Sequence, residues 1–197
     1  MRKLFYSGIF IMLSTGTTIQ AQTTWNIDES HSKISFSVKH MVIADVEGKI
    51  AKYSATITTS KPDDFSDADI NLVLDANSLS TDNEMRDNHL KGTDFFDAAK
   101  FPSITFKGKG MKKVKDNMWK LTGELTIKDV TKKIELDVVY NGIVKDPWGN
   151  TKAGFKITGK IMRFDYGLKW NNVMESGSMV VSDEVMIMAN IELAKGK

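Results

Sequence analysis

The side chains of this 197-residue chain best suited to acid–base or metal chemistry near neutral pH are its three histidines, His31, His40 and His89. No two of them have the H-x-x-x-H spacing that sets a pair of metal ligands on one helical face. His31 and His40 fall near opposite ends of one expected strand, so they cannot share a metal unless a third element approaches. Cysteine is absent, which excludes disulfides, thiolate nucleophiles and thiolate metal ligands. No G-x-S-x-G elbow marks a nucleophilic serine. "KGKGMKK" alternates Gly and Lys within a strand and hairpin instead of preceding a helix, so it is not a phosphate loop. The expectation is therefore no catalytic residue, no metal and no cofactor. One cluster remains: "MRDNHLKGTDFFDAAKFPSITF", Met85–Phe106, where Arg86 and His89 stand among carboxylates just ahead of Phe95 and Phe96.

The elements that must position this cluster are strands. Apolar residues alternate with polar ones in "ISFSVKH", "YSATITT", "DINLVLDA", "SITFKGKG", "WKLTGELTIK", "IELDVVY", "FKITGKI" and "VMIMANIEL". That period of two argues for half-buried strands with one wet face. "KPDD", "DPWG", "VKDN" and "IKDVT" supply turns between them. About eight sequential antiparallel strands fit an all-β closed barrel better than a sandwich, although alternation alone does not separate the two. From Ser80, "STDNEMRDNHL" reads instead as a short helical segment. Ser80 and Thr81 are its candidate caps, Gly92 its stop, and Met85, His89 and Leu90 tend toward one face. With the irregular "TDFFDAAKFP" it forms a lid over one barrel opening.

On the expected inward faces, Gly108, Gly123, Gly142 and Gly159 either let strands bend for closure or leave an elongated cavity unfilled. His40 falls in step with Val38, and Arg163 with Ile161. A charge on that face must sit at a rim, pair with an acid or meet a polar ligand group. Phe95, Phe96, Phe101, Trp148, Phe164, Tyr166 and Trp170 suffice to line a hydrophobic mouth.

Arg2 and Lys3 precede "LFYSGIFIML", an apolar run too short to span a bilayer, and cleavage after Ala21 fits a signal peptide over residues 1–21. Residues 22–197 then form one domain, periplasmic or secreted and of bacterial type. Losing Arg2 and Lys3 reduces the 27 basic residues to 25, against 25 acidic. Such a neutral balance gives no field to hold nucleic acid. No later apolar run is long enough for a transmembrane segment.

Taken together, "WNIDESHSKISFSVKHMVIADVEGKI", "TDNEMRDNHLKGTDFFDAAKFPSITF", "GELTIKDVTKKIEL", "DPWGNTKAGF", "RFDYGLKWN" and "VSDEVMIMANIEL" resemble, in order, the YceI-like, polyisoprenoid-binding family over nearly all of residues 23–194. The resemblance implies a lipocalin-like antiparallel β-barrel with a short helical lid. It further implies that a polyisoprenoid, isoprenoid quinone or other long-chain lipid ligand occupies the interior, without an enzymatic step. The positions matching recurrent family motifs are His40, Arg86, His89, Phe95, Phe96, Arg163 and Trp170, the candidate ligand-binding residues. Gly92 and Gly108 stand where the family often has Ser, and Asp129 where it often has Gly, so head-group preference is the least transferable property. At about 0.3 kcal/mol per atom, a tail of roughly 40 carbons reaches nanomolar affinity without catalysis. An enzyme acting on such a lipid, or a structural or stress-related protein with an incidental cavity, are the alternatives. An exposed strand edge or the apolar mouth offers a homodimer contact.

Overall fold

A computed structural model describes residues 22–196; the expected signal peptide, residues 1–21, lies outside the described residues. Eleven strand segments follow one another as β1 (Thr23–Ile27), β2 (Lys33–His40), β3 (Ala44–Ile50), β4 (Tyr53–Thr59), β5 (Asp69–Asp75), β6 (Leu79–Ser80), β7 (Ser103–Lys115), β8 (Met118–Ile127), β9 (Val130–Lys145), β10 (Thr151–Met162) and β11 (Val181–Lys195), with helix α1 (Glu84–Lys91) between β6 and β7. Every pairing is antiparallel, and the ring β1-β4-β5-β7-β8-β9-β10-β11 closes when β1 pairs with β11. This is the eight-strand antiparallel barrel the alternation called for, and the sandwich is set aside.

Three of the eight strands are interrupted. β11 pairs with β2 from Val181 to Asn190 and with β1 from Leu193 to Lys195, so β1 and β2 together run along one side of it. β3 and β4, then β5 and β6, repeat the pattern. At the first break the lost ladder bonds are replaced locally. Asp28 N donates to Glu192 O at 2.8 Å, and Ser32 Oγ accepts from Glu192 N at 2.9 Å. Satisfying these backbone groups is what lets the barrel tolerate a break in mid-strand.

The inward parity of each strand forms the core. Ile34, Ile57, Leu74, Ile104, Leu121, Leu125, Leu136, Val138, Phe155, Ala189 and Leu193 are all buried. One end is sealed by Phe65, carried in by the β4–β5 connection. It stands edge-on to Phe155 with centroids 4.9 Å apart, and lies 5.1 Å from Trp25 and 5.8 Å from Tyr140. At the other end β6 is too short to reach β7, and α1 with residues 92–102 fills the gap.

Helix α1 differs from its expected form. Its cap is Asn83, whose side chain accepts from Arg86 N at 3.0 Å, not Ser80 or Thr81. Glu84 and Asp87 in the first turn and Lys91 in the last complement the helix dipole. Met85 points to solvent, His89 is partly exposed with its ring against Phe95 and Trp170, and the only buried residue of the helix is Asp87. The anchor is polar because Thr81 lies directly beneath: Asp87 Oδ1 accepts from Thr81 N at 2.7 Å and from Thr81 Oγ1 at 2.6 Å.

Candidate functional site

Between the Phe65 seal and the lid lies an elongated cavity of about 250 Å³. Ile27, Ile57, Ile70 and Met111 line it toward the sealed end, and Leu90, Phe95, Phe96 and Leu168 toward the lid. The inward alternation makes this wall apolar. Only Ser35 and Arg163 among its residues are polar, and both are engaged within the protein. Ser35 Oγ donates to Met188 O at 3.2 Å.

Arg163 follows the end of β10 in a single 3-10 turn and is only 3% exposed. Its guanidinium donates to the carbonyls of Leu168 (2.5 Å), Trp170 (2.8 Å), Val181 (3.0 Å) and Ser182 (2.8 Å). Among the described residues it has no ion-pair partner. The acid whose charge acts on it, Asp183, accepts instead from Phe164 N at 2.8 Å. Burial pushes the guanidinium down from its ordinary value, partly opposed by Asp183. The ion pair with a nearby Asp offered by the sequence is replaced by a knot of carbonyls, which folds the chain from β10 to β11 over the cavity mouth.

The inward glycines are not empty space. The ring of Phe36 lies across Gly48, that of Phe106 across Gly123, and Leu136 occupies the position beside Gly159. With no β-carbon beneath, Phe36 and Phe106 lie along the wall instead of crossing the lumen. The glycines therefore do leave room, but indirectly, by receiving rings. Gly142 plays another part, with φ +100° opposite the register shift between Gly154 and Phe155.

The candidate residues divide into three groups. Phe95, Phe96 and Arg163 line the cavity. His89 and Trp170 close over Phe95 from outside: the His89 ring is edge-on to both, at 5.1 Å from Phe95 and 5.0 Å from Trp170, and His89 Nε2 is 3.1 Å from Asp94 Oδ2. His40 and Arg86 are not in the lining. His40 ends β2, half-buried opposite Val181 and Ala44. Arg86 reaches back to Thr81, donating through Nε to Oγ1 at 2.7 Å and through a terminal nitrogen to the carbonyl at 2.9 Å, not to a carboxylate. Trp148, read as part of the mouth, stands 84% exposed on the β9–β10 turn, away from the lid. Phe65 was not anticipated as a lining residue, though a lone Phe among the acids of "KPDDFSDAD" was the available signal.

A second cluster lies outside the cavity lining, at the β1–β2 break: Asp28, Ser30, His31, Lys152 and Glu192. Serine, histidine and aspartate meet here without the relay geometry. Ser30 Oγ and Asp28 Oδ2 both lie 3.1 Å from the same His31 nitrogen, Nδ1, whereas a relay uses one ring nitrogen for each partner. Ser30 Oγ donates to Asp28 Oδ1 at 2.6 Å instead. The acids face an ammonium already in place, with Lys152 Nζ 2.6 Å from Asp28 Oδ2 and 3.1 Å from Glu192 Oε1. Lys152 foremost, then Ser30 and His31, hold the Asp28 carboxyl well below the usual carboxylate range. The same acids raise Lys152. This cluster fastens the break.

Comparison with known proteins places this architecture. The YceI-like domain family matches residues 25–193. The UPF0312 protein SA2479 of Staphylococcus aureus (strain N315) is 34% identical over 173 residues, covering 87% of this chain and 98% of that protein. The crystal structure of the Campylobacter jejuni YCEI protein superposes with a TM-score of 0.68 at 32% identity, covering 81% of this chain and 90% of that one. Two more distant structures share the fold. Burkholderia cenocepacia BcnA has a TM-score of 0.72 at 23% identity, covering 84% of this chain and 98% of its own. A polyisoprenoid binding domain from Saccharophagus degradans has a TM-score of 0.67 at 16% identity, covering 87% and 98%. With a matched domain spanning nearly all of the barrel, the chain belongs to the YceI-like family.

Proposed function

We propose that this protein holds the apolar tail of a long-chain amphiphile, an isoprenoid or fatty chain, in the barrel interior, and carries, stores or sequesters it without chemical change. The observation that bears most weight is the cavity wall. Its two polar residues are satisfied by backbone carbonyls, so a polar occupant would lose its water and gain no partner, whereas an apolar tail gains roughly 0.8 kcal/mol per buried methylene. The head group of such a ligand belongs at the lid, among Phe95, Phe96, His89 and Trp170. The polyisoprenoid-binding name borne by the Saccharophagus domain of the same fold supports this ligand class. The three histidine–carboxylate contacts among the described residues, His31–Asp28, His31–Glu192 and His89–Asp94, involve no residue of the cavity lining, which favours binding over turnover. In this reading residues 1–21 are removed on export, and the barrel works in the periplasm or outside the cell.

The test is native mass spectrometry of protein purified from its own periplasm, followed by organic extraction and lipid analysis. A stoichiometric long-chain amphiphile is the expected result, and it names the head group. Protein that is empty, and that takes up neither prenylated quinones nor fatty acids, would overturn the reading.

A further inference from the structure

The lid end carries a second feature that cargo retention does not require. The β2–β3 turn, closed by Ile43 N donating to His40 O at 3.2 Å, places Met41 at φ 48° and Val42 at φ 66°. Two successive positive φ values suit Asn-Gly, and a β-branched residue in that region is strained. Val42 is nevertheless 68% exposed and Ile43 83%. A soluble hairpin tip gains nothing from strained, water-exposed aliphatic side chains, and such an outlier points to a use.

A neighbouring tip repeats the pattern. Residues 172–180 form a small hairpin in which Val173 pairs with Met179 and Val180 N donates to Asn172 O at 2.9 Å. It is fastened to the first tip by Met41 N donating to Val180 O at 2.8 Å. Val173 is 69% exposed, and Met179 is exposed beside it. Just inside these tips, Val38 and Val181 line the cavity. The apolar surface thus runs from the exterior of the lid end to the cavity wall.

We propose that these paired tips insert into a zwitterionic bilayer surface and set the lid end of the barrel against the membrane. A second copy of the chain is the poorer occupant, because a stable dimer uses about 20–30 residues a side and the two tips offer a handful of apolar side chains. Partitioning into the acyl boundary needs only such a small area. Charge favours a neutral surface. Lys39 and Asp45, which flank the first tip, neutralise each other at 2.8 Å, and the second tip carries the exposed acid Glu175. Loading from the bilayer rests on the carrier reading above; docking itself does not.

The chain has no cysteine, so Val42→Cys carries a single environment-sensitive fluorophore. The mature protein is mixed with phosphatidylcholine vesicles, and Trp148→Cys at the opposite end is labelled as the control. We expect a blue shift and at least a three-fold rise in emission at position 42 and no change at position 148. Unlabelled protein should float with the vesicles insensitively to salt, and Ile43→Asp with Val173→Asp should reduce the floated fraction at least five-fold while leaving thermal unfolding unchanged. No association, an equal response at position 148, or a dimer in sedimentation that Ile43→Asp dissolves would each overturn the proposal. Vesicle docking is scored without cargo and cargo by mass spectrometry without vesicles, so failure of one leaves the other standing.

Discussion

The ring of Phe106 reaches over Gly123 of the neighbouring strand, with Phe106 Cε2 2.6 Å from where a β-carbon would stand. Lys107 O is equally close at 2.6 Å. A side chain at position 123 must therefore lift the ring off the wall and into the lumen. Gly123→Val is expected to cost about 1–3 kcal/mol through overpacking. It should also reduce uptake of a fluorescent fatty acid at least ten-fold, measured by titration. Unchanged uptake would show that Phe106 does not define the lumen.

Arg163 leads to a stability prediction. Replacing it with Met takes the guanidinium away from four carbonyls: those of Leu168, Trp170 and Ser182 lose this donor, while that of Val181 keeps Asn171 Nδ2 at 2.8 Å. The expected loss is about 3 kcal/mol or more in urea unfolding. Arg163→Lys should recover less than half of it, because an ammonium cannot serve a planar fork of acceptors. Full rescue by Lys would mean that charge alone holds the knot.

The Asp28–Lys152 pair sets a pH dependence with a definite sign. Asp28 is depressed below its ordinary value of 3.8, so its contribution is present above that pH and fades as pH falls through the folded value. Lys152 is raised above 10.5, so its contribution is complete below that pH and fades as pH rises through the folded value. Asp28→Asn should therefore destabilise by about 1–2 kcal/mol at neutral pH. The gap from the parent protein should begin to narrow below about pH 4, where the unfolded chain's carboxylate takes up a proton while the folded one still resists it, and should close only as the folded carboxylate itself is protonated at lower pH. Thermal unfolding at stepped pH measures both. A gap that stays constant through the acid range would remove Asp28 as its origin.

Trp170 and His89 hold Phe95 in place from outside, with no hydrogen bond between the two rings. Trp170→Ala should speed release of a preloaded fatty probe several-fold, with little change in loading at equilibrium in excess probe. Stopped-flow displacement reads the rate. An unchanged rate would move the exit away from this latch.

Much of this was legible in the sequence because strand alternation is a local signal. Ile34, Phe36 and Val38, or Leu121 and Leu125, show their inward face through period two alone, and all of them line the cavity. Helix α1 was legible in existence and in its end at Gly92, but not in its cap or orientation. Its mean composition is polar, and the residue that decides which side faces inward, Asp87, does so through Thr81, which belongs to the preceding segment. The reading that glycines leave space was correct only in combination with rings from elsewhere: Phe106 reaches Gly123 from the next strand, and Phe36 reaches Gly48 across a hairpin.

The sequence by itself determined the strand-rich barrel, the lid insertion and the apolar interior, because each rests on residue types repeating over short distances. Tertiary structure alone decided what seals the barrel and what the charged residues do. Phe65 becomes a plug only once β1, β9 and β10 converge on it, and Arg163 finds its acceptors only after the chain returns from Leu168 to Ser182. His40 and Arg163 shared an inward parity, yet one ended at a rim and the other in a knot of carbonyls. Parity sets the side of the sheet a residue faces, while its partners depend on loops whose closure brings distant backbone groups within hydrogen-bonding reach.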